Sequence, residues 1–542
     1  MSPARLMALL GLLAGCGPRY DIVIRGGTLI DGTGRPGVKG DLAIRHDSIV
    51  ALGAVSGRST RTIDATGMVV TPGFFDLHSH SEYDRLANGR GPSGSLQGIT
   101  TEIFGEDASM GPLGGKREPD PFFELKNVKA GWTTLGGFLD TLARRGSAAN
   151  FASYLGTGTV RAFVMGYGQQ PPTPAELDSM RSVVRQAMAD GALGVSSGLS
   201  YVPNVYMSTA ELTALAREAA RAGGIYATHI RTINGQDPGA VREAIAIADS
   251  ARIPVHFFHL NSVASTNAAR FLAIIDSARQ RGVELSGDSY PYTWGITGLP
   301  DYIPSWAHAG GLDSLLRRLT IPAMRARIKA TFTTMEPFYA RVGWDKVRLG
   351  VPDPRINGKL VTEAGKLEGK SPEDAYLDAV LDAKGAGLLI DWNNDDSTLR
   401  QVIGEPYVGG GSDGMAIDLK GPAEWPLLHP RLLGTMPKWI RQYVREEKLM
   451  SLEEAVRRLT SLGAGVTGLT DRGTLAVGKA ADLLVWDPER FADKATFEDP
   501  NHYAEGMKYV FVNGVAVVEE GKPTAALPGR ALRGPGYHRA GR

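Results

Sequence analysis

Two histidines one residue apart, His78 and His80, are the first residues of the chain whose type and spacing indicate chemistry. They follow the apolar run 68–75, which has the composition of a buried β-strand. Successive strand side chains point to opposite faces, so residues at i and i+2 emerge on the same side and can converge on one metal ion. Two histidines on the surface of a strand give the same pattern, and the metal interpretation therefore depends on further ligands.

Three later apolar runs also end in residues that bind metals: His229, His259 and Asp413. The separation from His78 to Asp107 is 29 residues and that from His229 to His259 is 30, close to the length of one strand–helix unit. In a parallel barrel, the residues that follow the strands lie on one face. The sequence therefore predicts an α/β fold, a (β/α)8 TIM-like barrel, with four histidines and one aspartate at one end as a metal hydrolase site.

The order and character of these segments resemble the amidohydrolase superfamily, and within it the D-aminoacylase, or N-acyl-D-amino-acid deacylase, branch. The resemblance extends from about Tyr20 to the C-terminus. The segments that carry it are 78–80, 191–203, 228–231, 258–260, 290–293, 411–414, 429–431, 471–475 and 480–483.

This resemblance, together with the expected geometry, implies a site for one or two divalent metal ions, with Zn²⁺ as the expected ion. It assigns His78, His80 and Asp413 to one metal position, and His229 with His259 to a second. Bound zinc makes a hydroxide available at neutral pH. Asp413 is the expected catalytic residue, because a metal-bound carboxylate can also carry a proton from the attacking water to the leaving nitrogen.

The chain departs from the branch at the position after the second barrel strand. The branch commonly has a metal-binding cysteine there, whereas this chain has Asp107, with Glu106 beside it. A carboxylate can bridge two divalent ions and is a harder ligand than a thiolate. We therefore expect Asp107 as a metal ligand, and Glu106 remains an alternative for the bridge.

A second departure concerns substrate binding. The branch usually has a lysine two residues after the histidine of strand six; this chain has Asn261 there, which remains a candidate substrate-binding residue without the positive charge. Arg231, two residues beyond His229, is the expected replacement for pairing with a substrate carboxylate. Tyr290 and Tyr292 are expected to donate hydrogen bonds, and only one of them is expected to face the site.

The remaining chain divides into parts around the barrel. Strand-like segments in 20–70 and 467–526 are expected to form one small β-sandwich from both termini, as the resemblance also implies. The barrel is expected over 71–466, with an inserted lid subdomain at about 297–384 over the mouth of the site. The Pro-, Gly- and Arg-rich tail 527–542 is expected to be loosely ordered.

Residues 1–19 read as an export signal. Arg5 precedes an apolar stretch, and residues 13–16 resemble the box at which bacterial lipoproteins are cleaved and acylated on cysteine. The alternatives are an ordinary signal peptide and a start codon placed too early. Cys16 is the only cysteine of the chain, so we predict lipidation at Cys16, a location in the cell envelope (membrane-anchored or periplasmic), and no internal disulfide.

The composition fits a large enzyme that acts on small molecules. The chain has 542 residues, 43% of them hydrophobic, and a net charge of +1, and it has no basic stripe of the kind that binds nucleic acid. No oligomeric state is indicated. We therefore predict a metal-dependent amidase acting on linear N-acyl-D-amino acids or dipeptides that contain a D residue. The alternatives are a cyclic-amide hydrolase or other peptidase of the superfamily and, from a different class, a non-catalytic binding protein of the envelope.

Overall fold

The central element of the fold is a closed barrel of parallel strands. The computed structural model describes residues 19–231, 238–264, 267–333, 342–420 and 427–537. The barrel strands are β6 (Phe74–Asp76), β7 (Ile99–Phe104), β8 with β9 (Asn150–Ser153 and Leu155–Gly156), β10 (Gly194–Gly198), β11 (Ile225–His229), β12 (Val255–Phe257), β13 (Leu285–Ser289) and β17 (Val408–Gly410).

The barrel closes between its first and last strands. Neighbouring strands pair in parallel from β6 to β8 and from β9 to β17. The amide of Leu77 donates to the carbonyl of Gly410 at 3.1 Å, and Ser79 forms a parallel bridge with Gly414. Every residue of these strands is buried, as expected for a parallel sheet covered on both faces. The predicted barrel is confirmed.

Helices follow most of the barrel strands, and their starts are encoded in the sequence. Thr173 with Glu176 and Ser208 with Glu211 form capping boxes, which satisfy free amides in the first turn. No helix of the described residues is both long enough and apolar enough to cross a membrane. The helices outside the insertion are Glu82–Ala87, Pro92–Leu96, Pro121–Leu125, Leu135–Arg145, Thr157–Met165, Pro174–Asp190, Thr209–Arg221, Pro238–Ala251, Leu260–Ala264, Ala268–Gln280, Asp396–Gly404, Arg431–Lys438, Trp439–Glu446, Leu452–Leu459 and Ser461–Thr467.

The two ends of the chain form one nine-stranded sheet beside the barrel. Its strand β1 (Arg19–Leu29) pairs first with β4 (Arg58–Asp64) and then with β5 (Val69–Pro72). The pairing of β1 with β2 (Val38–Arg45) shifts register between Ile24 and Gly27. Apolar residues from both ends share one core, for example Ile24, Leu483 and Phe511. The other strands are β2 (Val38–Arg45), β3 (Ser48–Gly53), β4 (Arg58–Asp64), β5 (Val69–Pro72), β18 (Leu483–Trp486), β19 (Met507–Val512), β20 (Val515–Glu519) and β21 (Lys522–Pro523).

An insertion between β13 and the helix Asp396–Gly404 forms a subdomain with its own core. Three antiparallel strands, β14 (Trp294–Gly298), β15 (Val347–Gly350) and β16 (Leu388–Trp392), pair in the order β14–β16–β15. Buried residues of this insertion, among them Leu315 and Phe332, pack together as a separate cluster. Its helices are Leu312–Thr320, Pro322–Phe332, Val361–Glu368 and Pro372–Asp382.

The expectation of a loosely ordered tail is wrong for residues 527–537. The amides of Gly529 and Leu532 donate to carbonyls of Ser147 and Phe151 at 2.8 Å, and the amide of Gly534 donates to Gly191 at 2.9 Å. Phe151 lies on β8, and Ser147 and Gly191 each lie three residues before a barrel strand, so backbone groups on and next to the barrel strands supply the partners that the tail cannot provide itself. The composition of the tail therefore reflects close backbone contact. The predicted signal segment with Cys16 lies outside the described residues.

Candidate metal centre

The candidate ligands all lie at or just beyond the carboxyl ends of barrel strands. His78 and His80 follow β6, His229 is the last residue of β11, and His259 follows β12 by two residues. Asp413 follows β17, and its backbone amide donates to the carbonyl of His78 at 2.7 Å. His259 and Asp413 have positive φ angles of 31° and 47°, which are strained for residues other than glycine. The barrel thus holds side chains from four strands at one point.

Glu106 lies at the centre of the four imidazoles. Its Oε2 is 2.9 Å from His78 Nε2 and 3.1 Å from His80 Nε2. Its Oε1 is 3.1 Å from His229 Nδ1 and 3.3 Å from His259 Nε2. Each carboxylate oxygen therefore faces one pair of histidines, which is the arrangement of a ligand shared between two metal positions.

Asp413 completes the first pair. Its Oδ1 lies 3.2 Å from His80 Nε2 and 3.7 Å from His78 Nε2. Donor atoms of His78, His80, Glu106 and Asp413 lie within 4.8 Å of one another, as do those of Glu106, His229 and His259. The structure thus brings together the four predicted histidines and Asp413, in the two groups that the sequence suggested.

The expectation of Asp107 as a ligand is corrected by the structure. Strand β7 ends at Phe104, and Gly105 has a φ of 90°, so the chain turns before it reaches the two acidic residues. Glu106 points to the histidines, whereas the side chain of Asp107 accepts a hydrogen bond from Asn204. Burial, with the nearby charge of Glu106, raises the pKa of Asp107 to about 8. Asp107 therefore lies beside the centre and outside both ligand groups.

The electrostatics of the centre require positive charge between the carboxylates. Burial opposes ionisation of Glu106, but the charge of His78 and hydrogen bonds from His229 and His259 hold its pKa well below the usual value. Burial likewise opposes protonation of His80, and hydrogen bonds to Asp413 and Glu106 still raise its pKa to about 9. In contrast, burial lowers the pKa of His229, which favours the neutral imidazole that binds metals.

Asp288 supports the centre from inside the barrel. Its Oδ1 accepts a hydrogen bond from the amide of His259 at 2.9 Å and lies 3.6 Å from Nδ1 of His78. Its Oδ2 is 2.9 Å from Nε2 of His256, whose Nδ1 is 2.8 Å from Ser286 Oγ. Gly411 is required nearby, because a Cβ there would come within 2.5 Å of Asp288 Oδ1. One buried carboxylate therefore contacts a member of each ligand group.

Arg231 does not supply a free cation to the site. Strand β11 ends at His229, so Arg231 is no longer on its face. Its guanidinium donates to both carboxylate oxygens of Glu243 at 3.0 Å, and to the carbonyls of Val205 and Met207 at 3.0 and 2.9 Å. These bonds already use the planar fork of the side chain. The geometry therefore does not support the expectation that Arg231 binds substrate, which stays a prediction.

A different arginine, Arg431, lies next to the centre. Its Nη1 is 2.9 Å from Asp413 Oδ2, its guanidinium carbon is 4.8 Å from the ring centre of Tyr290, and only 2% of its side chain is exposed. Its Nε has no hydrogen-bond partner in the part of the chain that the structure describes. Arg431 begins the helix Arg431–Lys438, which follows the barrel. The only sequence signal for it was its place in the segment 429–431 of the family resemblance.

The other predicted substrate residues differ in position. Tyr290 stacks on Arg431 and accepts a hydrogen bond from Asn393 at 2.9 Å. Tyr292 is directed to the carbonyl of Pro430 at 3.4 Å, so Tyr290 is the tyrosine beside the centre. Asn261 is fully buried and accepts a hydrogen bond from Ser289 Oγ at 2.9 Å. That Asn261 binds substrate stays a prediction.

His429 connects Arg431 to the insertion. Its Nδ1 accepts a hydrogen bond from the amide of Arg431 at 2.9 Å, so the proton is on Nε2, which donates to the carbonyl of Trp294 at 3.0 Å. Burial and the charge of Arg431 hold the pKa of His429 well below its usual value. The neutral His429 thus links the start of the helix Arg431–Lys438 to strand β14.

Comparison with known proteins places this geometry in a family. The sequence profile of the amidohydrolase family matches residues 61–270 and 367–518, which excludes most of the insertion. The D-aminoacylase of Alcaligenes xylosoxydans xylosoxydans is 33% identical over 519 residues, covering 95% of this chain and 97% of that protein. The chain belongs to the amidohydrolase family.

Two solved structures resemble this amidohydrolase over nearly its whole length. The N-acyl-D-glutamate deacylase of Bordetella bronchiseptica, solved with zinc and a phosphonate inhibitor that mimics the tetrahedral intermediate, has a TM-score of 0.79 and 29% identity, covering 95% of this chain and 100% of that one. A D-aminoacylase studied for its binuclear metal centre has a TM-score of 0.78 and 30% identity with the same coverage.

The residues of this amidohydrolase fit a metal centre. Four imidazoles and two carboxylates are the nitrogen and oxygen donors that zinc accepts. His229 Nδ1 and His259 Nε2 are only 2.9 Å apart, so both nitrogens could direct a lone pair at one ion beside a carboxylate. A divalent ion supplies the positive charge that the two carboxylates otherwise draw from protonated histidines.

Proposed function

We propose that this amidohydrolase is a zinc-dependent hydrolase of linear amides that removes the acyl group from N-acyl-D-amino acids or from dipeptides with a D residue. The observation that carries the proposal is the position of Glu106 between two histidine pairs, with Arg431 next to Asp413 at the edge of the centre. The D-aminoacylase and N-acyl-D-glutamate deacylase relatives support this substrate class.

The candidate ligands form two metal positions. His78, His80 and Asp413 would hold one ion, His229 and His259 would hold the other, and Glu106 would contact both. Zinc bound there supplies a water whose pKa falls from about 15.7 to about 7, and it polarises the carbonyl oxygen of the substrate. The same groups would serve a single ion if only one position is filled.

Asp413 is placed to move the proton. Its Oδ2 is held by Arg431 at 2.9 Å, which leaves Oδ1 on the side of His80 and the reacting groups. Burial opposes its ionisation, but the charges of Arg431 and His78 lower its pKa below the usual value, so it begins the reaction as a carboxylate. It can accept the proton of the attacking water at Oδ1 and donate it to the departing nitrogen.

Arg431 and Tyr290 provide the recognition of the substrate carboxylate in this proposal. A carboxylate taken into a buried site needs a charged or multiply donating partner, because leaving it unpaired costs several kcal/mol. The Nε–H of Arg431 has no hydrogen-bond partner among the described residues, and the guanidinium packs over the ring of Tyr290. A substrate carboxylate bound there places the scissile amide near Asp413.

The proposal is tested with metal-depleted and zinc-restored protein on three substrate classes: N-acyl-D-amino acids, their L enantiomers and five-membered cyclic amides. Release of free amine from the D class, lost on metal removal and restored by zinc, is the expected result. Preference for the cyclic amides, or activity that does not depend on metal, would contradict the proposal.

We also propose that the protein is anchored in the cell envelope through a lipid on Cys16. The support is the Leu13-Ala14-Gly15-Cys16 box after an apolar stretch. The folded sheet begins at Arg19, three residues after this cysteine. A lipid on Cys16 would therefore hold the enzyme close to the membrane surface.

A further inference from the structure

His229 makes contacts on both sides of its imidazole ring. On one side, Nδ1 faces Glu106 Oε1 at 3.1 Å and His259 Nε2 at 2.9 Å. On the other side, Nε2 is 3.2 Å from the hydroxyl oxygen of Ser200, a half-buried residue just beyond strand β10. The ring of Tyr201 packs edge-on against the same imidazole, with centroids 4.9 Å apart.

These contacts determine which nitrogen of His229 can bind a metal. A neutral imidazole has one N–H and one lone pair, and the ligand nitrogen must be the one without the proton. Nδ1 is the nitrogen that faces the metal centre, so Nε2 must carry the proton and needs an acceptor. Ser200 Oγ is in position to be that acceptor.

The hydroxyl of Ser200 has an acceptor of its own within reach. Ser200 Oγ donates to the carbonyl oxygen of Arg231 at 3.4 Å, and its lone pairs are then available to His229. Strand β11 ends at His229, so the sheet does not fix the backbone at Arg231. The four hydrogen bonds from the Arg231 side chain to Glu243 and to the carbonyls of Val205 and Met207 do so instead.

We infer that Ser200 is a positioning residue for the metal position formed by His229, His259 and Glu106, and that Arg231 and Glu243 hold the carbonyl that orients it. This inference rests on the proposed metal centre. It assigns Arg231 a role in metal binding through the loop, in place of a role in substrate binding. The position formed by His78, His80 and Asp413 does not depend on this chain of contacts.

The test is a zinc titration of metal-free protein that resolves two binding events. Groups that orient metal ligands typically contribute a factor of about 10 to 100 in metal affinity. Ser200→Ala should therefore weaken one event by about 10- to 100-fold and leave the other unchanged. Ser200→Thr, which keeps the hydroxyl, should restore most of the affinity. The urea unfolding midpoint of the metal-free protein should be the same in all three proteins.

Ser197→Ala is the matched control. Ser197 lies on β10 and its hydroxyl bonds to Tyr226 and Thr228, neither of which belongs to a ligand group. Both zinc affinities should stay near the wild-type values in this variant. Arg231→Met should weaken the same event as Ser200→Ala, and with saturating zinc it should leave KM for a carboxylate substrate unchanged.

Two outcomes would overturn the inference. Equal zinc affinities in wild type and Ser200→Ala would show that Ser200 does not position His229. A raised KM in Arg231→Met with unchanged zinc binding would show that Arg231 binds substrate and does not support the metal position. Wild-type protein that binds no zinc would refute the proposed function itself, so the two failures are distinguishable.

Discussion

Replacing Arg431 by methionine tests how the enzyme recognises its substrate. The change removes the guanidinium but keeps an apolar side chain of similar length against Tyr290. A hydrogen bond that involves a charged group contributes about 1.5–3 kcal/mol, and about 1.4 kcal/mol corresponds to a factor of ten. We therefore expect kcat/KM for a free N-acyl-D-amino acid to fall by about 10- to 150-fold through lost carboxylate binding.

Arg431 also contacts Asp413 Oδ2 at 2.9 Å, so the variant should lose a further factor in kcat that is common to all substrates. This common factor is removed by measuring the same substrate with its carboxylate converted to a carboxamide. The wild-type preference for the acid over the amide should shrink by the factor of about 10 to 150 in Arg431→Met. The acid-to-amide preference of Arg431→Lys, which keeps the charge but not the planar fork, should lie between those of wild type and Arg431→Met.

The assay is release of free amine from paired acid and amide substrates, with zinc in excess. If wild type and Arg431→Met show the same ratio of acid to amide turnover, Arg431 does not bind the carboxylate. The enzyme would then be an amidase without carboxylate recognition.

Four further predictions concern the centre, the insertion and the N-terminus. Glu106→Gln should lower zinc affinity by at least about 100-fold, because residues that only orient ligands contribute up to about that factor. Asp107→Asn should leave zinc affinity within a few-fold of wild type. Equal losses in the two variants would refute the assignment of Glu106 as the shared ligand. Asp413→Asn should reduce kcat by at least about 100-fold with the fold intact, as expected for lost general acid–base work, and near-normal turnover would remove its catalytic role. Burial lowers the pKa of His308 to about 4 from 6.5, so between these values the unfolded chain binds more protons and the free energy of unfolding rises with pH. His308→Gln should flatten that rise in urea titrations at pH 4.5 and 6.5, and an unchanged slope would exclude His308 as its source. Cys16→Ser should move the protein from the membrane to the soluble fraction, and identical fractionation of both forms would contradict lipidation.

The barrel and its ligand-bearing ends could be predicted because each depends on local sequence. A short apolar run followed by a histidine identifies both a strand and the position of its end, as for His229 on β11. His78 and His80 do reach the same carboxylate, but β6 ends at Asp76, so both lie beyond the strand and regular alternation does not account for their shared direction. The separation of the ligand-bearing strands follows from the length of a strand–helix unit.

The choice between Glu106 and Asp107 could not be made from the sequence. Alternation of side chains holds only within a strand, and β7 ends two residues before Glu106. The turn at Gly105, with φ of 90°, decides which carboxylate reaches the histidines. The same limit explains Arg231, whose expected direction required β11 to continue beyond His229.

Arg431 depends on long-range packing. It begins a helix 18 residues after Asp413, and its position at the site is set by His429, which binds a carbonyl of the insertion. No periodicity of the sequence relates an insertion strand to a helix that follows the barrel. The ordered tail has the same explanation, because its hydrogen-bond partners are backbone groups more than 300 residues earlier in the chain, such as Phe151 and Gly191.

The most direct test of the proposed centre is anomalous scattering from crystals of the zinc-loaded protein, measured at the zinc absorption edge. We predict peaks about 2.0–2.2 Å from the carboxylate oxygens of Glu106, between the two histidine pairs. A peak beside Asp107, or no peak among His78, His80, His229 and His259, would contradict the account.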